Sequence, residues 1–202
     1  MATPDSHLVL HGLAIKKHAD AEAVSKLIGL PVDRVKTALA DAVKRGRAVE
    51  AQGRYILAPM ARMSLDGEYS KYYSDLRANA DFVAAYEGFE RVNVELKTLI
   101  TDWQTMDVAG KRVPNDHSNE AHDQRVIDRL GEMHERADKL FARLAAGLPR
   151  LQIYRDHLLA ALEKAEDGAI EWVSDARIDS YHTVWFELHE ELLRLMGRTR
   201  TE

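Results

Sequence analysis

Two groups of aspartate and histidine residues carry the side chains that bind metal ions or transfer protons. The first group is Asp116, His117, His122 and Asp123, in or beside a long polar stretch. Metal ligation would need three or four of these side chains to converge, and their spacing matches no established motif. A polar surface loop with local Asx turns accounts for the same residues. We therefore expect a polar surface loop here and no metal site.

The second group is Asp175, Asp179, His182 and His189, around the start of the last predicted helix. The first three share a helix face if this helix begins early. The two histidines are two turns apart, about 10.5 Å of rise, which is too far for both to bind one metal ion. We therefore expect Asp179 and Ser180 to cap the helix.

Aromatic residues near His182 suggest a small-molecule pocket, because ligand sites combine apolar walls with a few polar groups. The candidate lining residues are Trp103, Trp172, Tyr181, His182, Trp185, Phe186 and His189. Packing in the core or at a dimer contact is the alternative use of such aromatic side chains. The sequence contains no glycine-rich phosphate loop, nucleophile elbow or paired acid and base. We therefore expect neither catalytic residues nor a cofactor.

The composition excludes several classes of protein. The chain of 202 residues has no cysteine, which excludes disulfides, thiolate catalysis and cysteine-rich zinc fingers. Its start lacks the basic and apolar regions of a secretory signal. No segment approaches the roughly 20 apolar residues that span a bilayer. We expect a soluble cytoplasmic protein that does not enter a membrane.

The charge is distributed unevenly, although the net charge is -5. Residues 1–60 contain nine Lys or Arg against six Asp or Glu, whereas the remaining residues contain nineteen against twenty-seven. A surface that faces phosphates needs positive charge only where the nucleic-acid backbone runs. The basic amino-terminal part is therefore the place to look for a nucleic-acid partner.

The first sixty residues predict three helices, with a tight turn between the second and the third, followed by a β-hairpin. A short buried helix spans His7 to Lys17, and Asp20 can cap the next helix. Gly29-Leu30-Pro31 separates that helix from a third, which ends at Gly46. The predicted inward stripe of the third helix is Val32, Val35, Leu39 and Val43. The predicted strands are residues 47–51 and 55–58, joined at Gln52-Gly53.

This order of elements is that of a winged helix-turn-helix. The helix of that motif that enters the major groove of DNA corresponds to the third predicted helix. Its early exposed residues Arg34, Lys36 and Thr37 are the candidates for reading bases. Phosphate contacts are expected from Lys44, Arg45, Arg47 and Arg54. The segment resembles the winged-helix domain of MarR-like and PadR-like regulators. The resemblance extends to residues 57–62, Leu-Ala-Pro-Met-Ala-Arg, which look like the Leu-Thr-Pro-x-Gly-Arg step of those families.

Helical patterns without strands are predicted from Ser64 onward. Apolar stripes mark helices over residues 63–77, 82–106, 126–148, 150–164 and 179–196, and residues 107–119 read as an unusually long loop. Long amphipathic helices must bury their stripes, which predicts an antiparallel helical bundle. The stripe at 82–103 runs close to a 3.5-residue period and would also suit a dimer contact. The expected fold is mainly α, with a winged helix at 1–62 and a helical dimerisation and ligand-sensing domain at 63–202.

Three functions remain open from the sequence. The leading prediction is a transcriptional regulator that binds double-stranded DNA as a homodimer and responds to a small-molecule effector. The second is a winged-helix docking subunit of an enzyme system, because Leu8–Ala23 and Ser180–Leu193 look like an accessory region of pyruvate phosphate dikinase-related proteins. The third is a helical metal-binding protein built on the polar groups above.

Overall fold

The computed structural model describes residues 3–199 and is mainly helical, with a small antiparallel sheet. The mainly α prediction is confirmed at this level. The chain divides into two compact units: Met1–Asn79 with His189–Glu202 form the first, and Ala80–Leu188 the second. The predicted domain boundary between residues 62 and 63 falls inside a continuous helix. None of the helices in the described part is long and apolar enough to cross a bilayer.

The first unit begins with three helices and three strands. They are α1 (Asp5–Lys16), β1 (His18–Ala19), α2 (Ala21–Ile28), α3 (Val32–Lys44), β2 (Ala48–Ala51) and β3 (Arg54–Leu57). Asp20 caps α2 as predicted, since its carboxylate accepts a hydrogen bond of 2.8 Å from the backbone N–H of Ala23. Gly29 ends α2 with φ at +70°, the left-handed conformation that favours glycine.

The three strands form one antiparallel sheet in the order β1-β3-β2. The predicted hairpin is confirmed: β2 and β3 pair from Ala48–Leu57 to Ala51–Arg54. Gln52 and Gly53 both have positive φ at its tip, as a two-residue hairpin turn of the primed type requires. Strand β1 was not predicted, because a strand of two residues is too short to show a periodic pattern.

The core of this part lies between α1, α2 and α3. Val9, Leu13, Val24, Val35 and Leu39 are fully buried in it. The predicted stripe on α3 is wrong at its end, because Val43 is 37% exposed and Ala42 is buried instead. Residues 35, 39 and 42 follow the i, i+4, i+7 spacing of a helix face, whereas residue 43 lies outside that face.

The first unit continues with α4 (Pro59–Tyr72) and α5 (Ser74–Ala78). A single helix over 63–77 was predicted, but the backbone of Tyr73 leaves helical geometry with φ at -122° and separates the two. The end of α10 (Tyr181–Met196), from His189 onward, also belongs to this unit.

The second unit contains two long helices joined by a hairpin, followed by shorter helices. The elements are α6 (Ala80–Gln104), β4 (Thr105–Val108), β5 (Lys111–Pro114), α7 (Glu120–Gly147), a 3-10 turn (Pro149–Leu151), α8 (Gln152–Glu166), α9 (Glu171–Ser174) and the start of α10. The buried stripe of α6 packs against α7 of the same chain. Two glycines permit this close approach: a Cβ on Gly88 would lie 2.7 Å from Leu140, and one on Gly147 would lie 2.6 Å from Phe82.

The hairpin β4–β5 corrects the prediction of a loop over residues 107–119 and of no strands beyond Ser64. Thr105 to Val108 pairs with Lys111 to Pro114. Ala109 and Gly110 turn the chain with positive φ, and the Asp107 carboxylate accepts from the Gly110 N–H at 2.8 Å. Both strands are largely exposed, so they lack the apolar face from which a strand is recognised in a sequence.

Candidate nucleic-acid interface

The exposed face of α3 carries the three candidate base-reading residues. Arg34, Lys36 and Thr37 are all exposed, as predicted for this face. Arg34 makes a two-point ion pair with Asp5 of α1, Nε to Oδ2 at 2.8 Å and Nη2 to Oδ1 at 2.7 Å. Its guanidinium therefore faces the first helix. Thr37 donates to the backbone carbonyl of Asp33 at 2.9 Å.

Acidic residues also accompany other cations of this surface. Lys36 lies 3.2 Å from Glu22 of α2, and Arg45 lies 2.7 Å from Asp41. Lys44 is exposed and has no ion-pair partner among residues 3–199. Exposed ion pairs contribute only about 0–1 kcal/mol each. These ion pairs therefore hold Lys36 and Arg45 only weakly.

Arg47 and Arg54 are placed differently from the other candidate phosphate contacts. Arg54 starts β3 beside the hairpin tip and donates to the backbone carbonyl of His18 at 2.9 Å. Arg47 precedes β2 and is only 27% exposed, with Nη2 at 2.8 Å from Glu68 of α4. The structure therefore gives Arg47 an internal partner and leaves Lys44, Arg45 and Arg54 on the surface.

A buried polar cluster in the first unit was not predicted. His11 is fully buried, with Nδ1 at 2.6 Å from the Tyr69 hydroxyl and Nε2 at 3.2 Å from the Glu191 carboxylate, itself fully buried. His7, one turn earlier on α1, donates from Nδ1 to Glu68 at 2.9 Å. The cluster joins α1, α4 and the end of α10.

The charge of Glu68 is fixed by two cationic or donor neighbours. Burial raises the pKa of Glu68, but hydrogen bonds from His7 and Arg47 outweigh it and leave the pKa below its usual value. One sequence signal could have revealed the cluster: His7 and His11 are four residues apart on a helix that is otherwise largely apolar. Glu191 gives a second signal, since it lies three residues after Leu188 and four before Leu195, on the apolar face of α10.

The aromatic residues proposed as a ligand pocket are distributed over several places. Tyr181 and Trp185 lie in the core of the second unit, with their rings 6.0 Å apart. Trp103 instead contacts the His117 ring at 4.6 Å, and Trp172 lies under the Lys164 ammonium at 3.5 Å. Of the remaining three, Phe186 is 37% exposed, His182 is half-buried, and His189 belongs to the first compact unit.

The polar residues near residue 116 form local hydrogen bonds. The Asp116 carboxylate accepts from the backbone and hydroxyl of Ser118, which is the predicted Asx turn and lowers the pKa of Asp116. The buried Asp123 accepts from His117 at 2.9 Å, while His122 lies 2.9 Å from the Asp102 carbonyl. Over residues 3–199, no three His, Cys, Asp or Glu side chains are placed to hold a metal ion.

The polar residues before α10 also have local partners. Asp175 pairs with Arg177, and that hydrogen bond lowers the pKa of Asp175 to about 2. Ser180 caps α10, accepting from the Thr183 backbone at 3.4 Å, so the predicted capping is confirmed at Ser180.

Lowering the pH from 7.5 to 5.5 is expected to destabilise the second unit. Burial lowers the pKa of His134 and of His182 in the folded protein. Below the unfolded value of about 6.5 the unfolded chain binds more protons, so the free energy of unfolding falls by up to about 1.4 kcal/mol per pH unit for each histidine. Urea denaturation at both pH values measures this. A His134→Gln/His182→Gln variant with the same pH dependence as the parent would contradict it.

Comparison with known proteins adds no family to this geometry. The candidate interface therefore rests on the chain's own arrangement: a polar face on α3 and a hairpin beside it. No family model, no curated protein and no solved structure was found to match the chain.

Proposed function

We propose that this protein is a DNA-binding transcriptional regulator whose first unit carries a winged helix-turn-helix. The observation that carries the proposal is the element order α1-β1-α2-α3-β2-β3, with the sheet order β1-β3-β2. In such a domain, here α1 to β3 and called the DNA-binding head, α3 lies in the major groove and the hairpin forms the wing. The arrangement needs no catalytic residue, so the proposed activity is binding alone.

The charged residues of the head suit DNA binding once they exchange their carboxylate partners for bases and phosphates. Arg34 can release Asp5 and bond a guanine edge at two points, since its planar donors fit either acceptor. Lys44, Arg45 and Arg54 would contact phosphates on either side. Because each surface ion pair is worth about 0–1 kcal/mol, the exchange costs little compared with the counterion release on DNA.

A single head of this kind binds weakly, so we further propose a homodimer that engages paired half-sites in the cytoplasm. The second unit would then be an antiparallel helical bundle that joins two copies. A small-molecule effector would act by favouring one spacing of the two heads. These steps follow from the geometry of duplex DNA, whose half-sites recur every helical turn, about 34–36 Å.

Selection from a random duplex library, followed by fluorescence anisotropy on the selected site, tests the proposal. We expect affinity to fall as salt rises, and Arg34→Ala to lose discrimination at one base by about 1–3 kcal/mol. Lys44→Ala should weaken all sequences equally and lower the salt slope by about one. Arg91→Ala and Lys139→Ala, which remove exposed cations of the second unit, serve as matched controls. Binding that is insensitive to salt, or unchanged by Arg34→Ala, would overturn the proposal.

A second function, docking to an enzyme partner, is favoured by a different observation. Val49 and Ile56 are cross-strand neighbours on the hairpin and are 50% and 43% exposed. Exposed apolar pairs of this kind suit a protein contact better than a phosphate backbone. If docking is the function, Arg34→Ala and Lys36→Ala are harmless, and Val49→Asp abolishes binding to a pyruvate phosphate dikinase-related enzyme.

A further inference from the structure

A cavity of about 420 Å³ lies within the first unit, between α4, α5 and the end of α10. Its volume suits a small organic molecule. Among residues 3–199, five charged side chains line it: Asp66, Arg77, Glu190, Arg194 and Arg198. Three arginines against two carboxylates leave one surplus positive charge. The charge of the lining therefore favours an anion.

Both carboxylates form ion pairs with the same arginine. Arg194 places Nη1 3.1 Å from Asp66 and Nη2 2.7 Å from Glu190. This side chain is only 17% exposed, and its buried Nε has no hydrogen-bond partner within residues 3–199. A buried donor left without an acceptor is destabilising.

Arg77 is held against the end of α10 without any carboxylate. Its Nε donates to the Leu195 carbonyl at 2.6 Å, and its Nη2 donates to the Arg194 carbonyl at 3.3 Å. Gly197 makes room for it, because a Cβ there would lie 3.0 Å from the Arg77 guanidinium carbon. Within residues 3–199, neither Arg77 nor the exposed Arg198 has an acidic partner.

We propose that this cavity binds a small organic anion, with its carboxylate or phosphate group held by Arg77 and Arg198. The apolar part of the ligand would lie against Tyr69 and Leu193, which also line the cavity. Arginine donors form two parallel hydrogen bonds to either kind of anionic group. The proposal does not depend on DNA binding, since every residue it uses lies outside α3 and the hairpin.

Isothermal titration calorimetry on the full chain tests the ligand class with butyrate, butyl phosphate and butyramide. We expect saturable one-to-one binding of butyrate, butyl phosphate or both, and none of butyramide, which has the shape of butyrate without its charge. Binding of one anion alone identifies the preferred group. Failure of both anions to bind, or equal binding of butyramide, would overturn the proposal.

Two pairs of variants locate the site. Arg198→Gln should weaken anion binding about tenfold, as expected for a lost charged hydrogen bond, whereas Arg91→Gln makes the same charge change in the second unit and should have no effect. Gly197→Ala should also weaken binding by displacing Arg77. Gly29→Ala is its control, since Gly29 has a similar φ of +70° but open space around its Cα. Parental affinity in both Arg198→Gln and Gly197→Ala would exclude this cavity.

Discussion

Replacing Trp185 with alanine is expected to lower the free energy of unfolding by about 3–5 kcal/mol. The Trp185 side chain is 2% exposed, stacked on Phe89 at 4.7 Å and packed edge-on against Phe141 at 5.6 Å. Its indole N–H donates to the Asn93 amide oxygen at 3.0 Å. The substitution would therefore leave both a cavity and a buried acceptor without its donor. Urea denaturation followed by circular dichroism at 222 nm measures the loss.

Two further variants separate packing from hydrogen bonding at this position. Trp185→Phe keeps a ring but removes the donor, so we expect an intermediate loss of about 1–3 kcal/mol. Trp172→Ala serves as the control, because Trp172 is half-buried and contacts the Lys164 ammonium. An effect of Trp185→Ala no larger than that of Trp172→Ala would contradict the assignment of Trp185 to the core.

The second large effect is expected at the buried pair of His11 and Glu191. Glu191→Ala should cost about 3–5 kcal/mol, because it removes the buried carboxylate that pairs with His11 Nε2, while the Tyr69 hydroxyl still contacts Nδ1. His11→Leu combined with Glu191→Leu should recover much of this loss, since two apolar side chains remove both polar groups together.

A double-mutant cycle in urea denaturation measures the coupling between His11 and Glu191. Independent sites add within about 0.3–0.5 kcal/mol, whereas groups in direct contact depart from additivity by about 0.5–3 kcal/mol. Additive effects of His11→Leu and Glu191→Leu would show that the 3.2 Å approach contributes nothing to stability. Glu135→Leu is the matched control, because it makes the same substitution at an exposed carboxylate on α7.

Local patterns were sufficient to predict most elements of the fold. The Gly29-Leu30-Pro31 turn and the Gln52-Gly53 tip each have a conformation that few residues adopt, so they mark their positions in the sequence. The α6 stripe was visible because its apolar residues recur at helical spacing over 25 residues. Strand β1 and the hairpin β4–β5 were missed, since short and exposed strands carry no such periodicity.

The partners of the charged residues could not be predicted, because they come from distant parts of the chain. Arg34 pairs with a residue 29 positions away, and the His11 hydrogen bond to Tyr69 spans 58 positions. A sequence pattern places Arg34 on an exposed face, but only tertiary packing decides which carboxylate it meets. The aromatic residues come together only in part, with Tyr181 and Trp185 adjacent and Trp103 and Trp172 elsewhere, since their spacing fixes a helix face without fixing its neighbours.

The first unit is built from two segments that are far apart in the chain, and this has a consequence for its synthesis. The segment Ala80–Leu188 must be translated before the residues that complete this unit. At about 5–20 residues per second, that interval lasts roughly 5–20 seconds. During it, α1 and α4 have been made, but Glu191 is not yet available to His11. A ribosome-bound chain would thus carry an incomplete first unit, and a truncated product would lack the part of α10 that completes this unit.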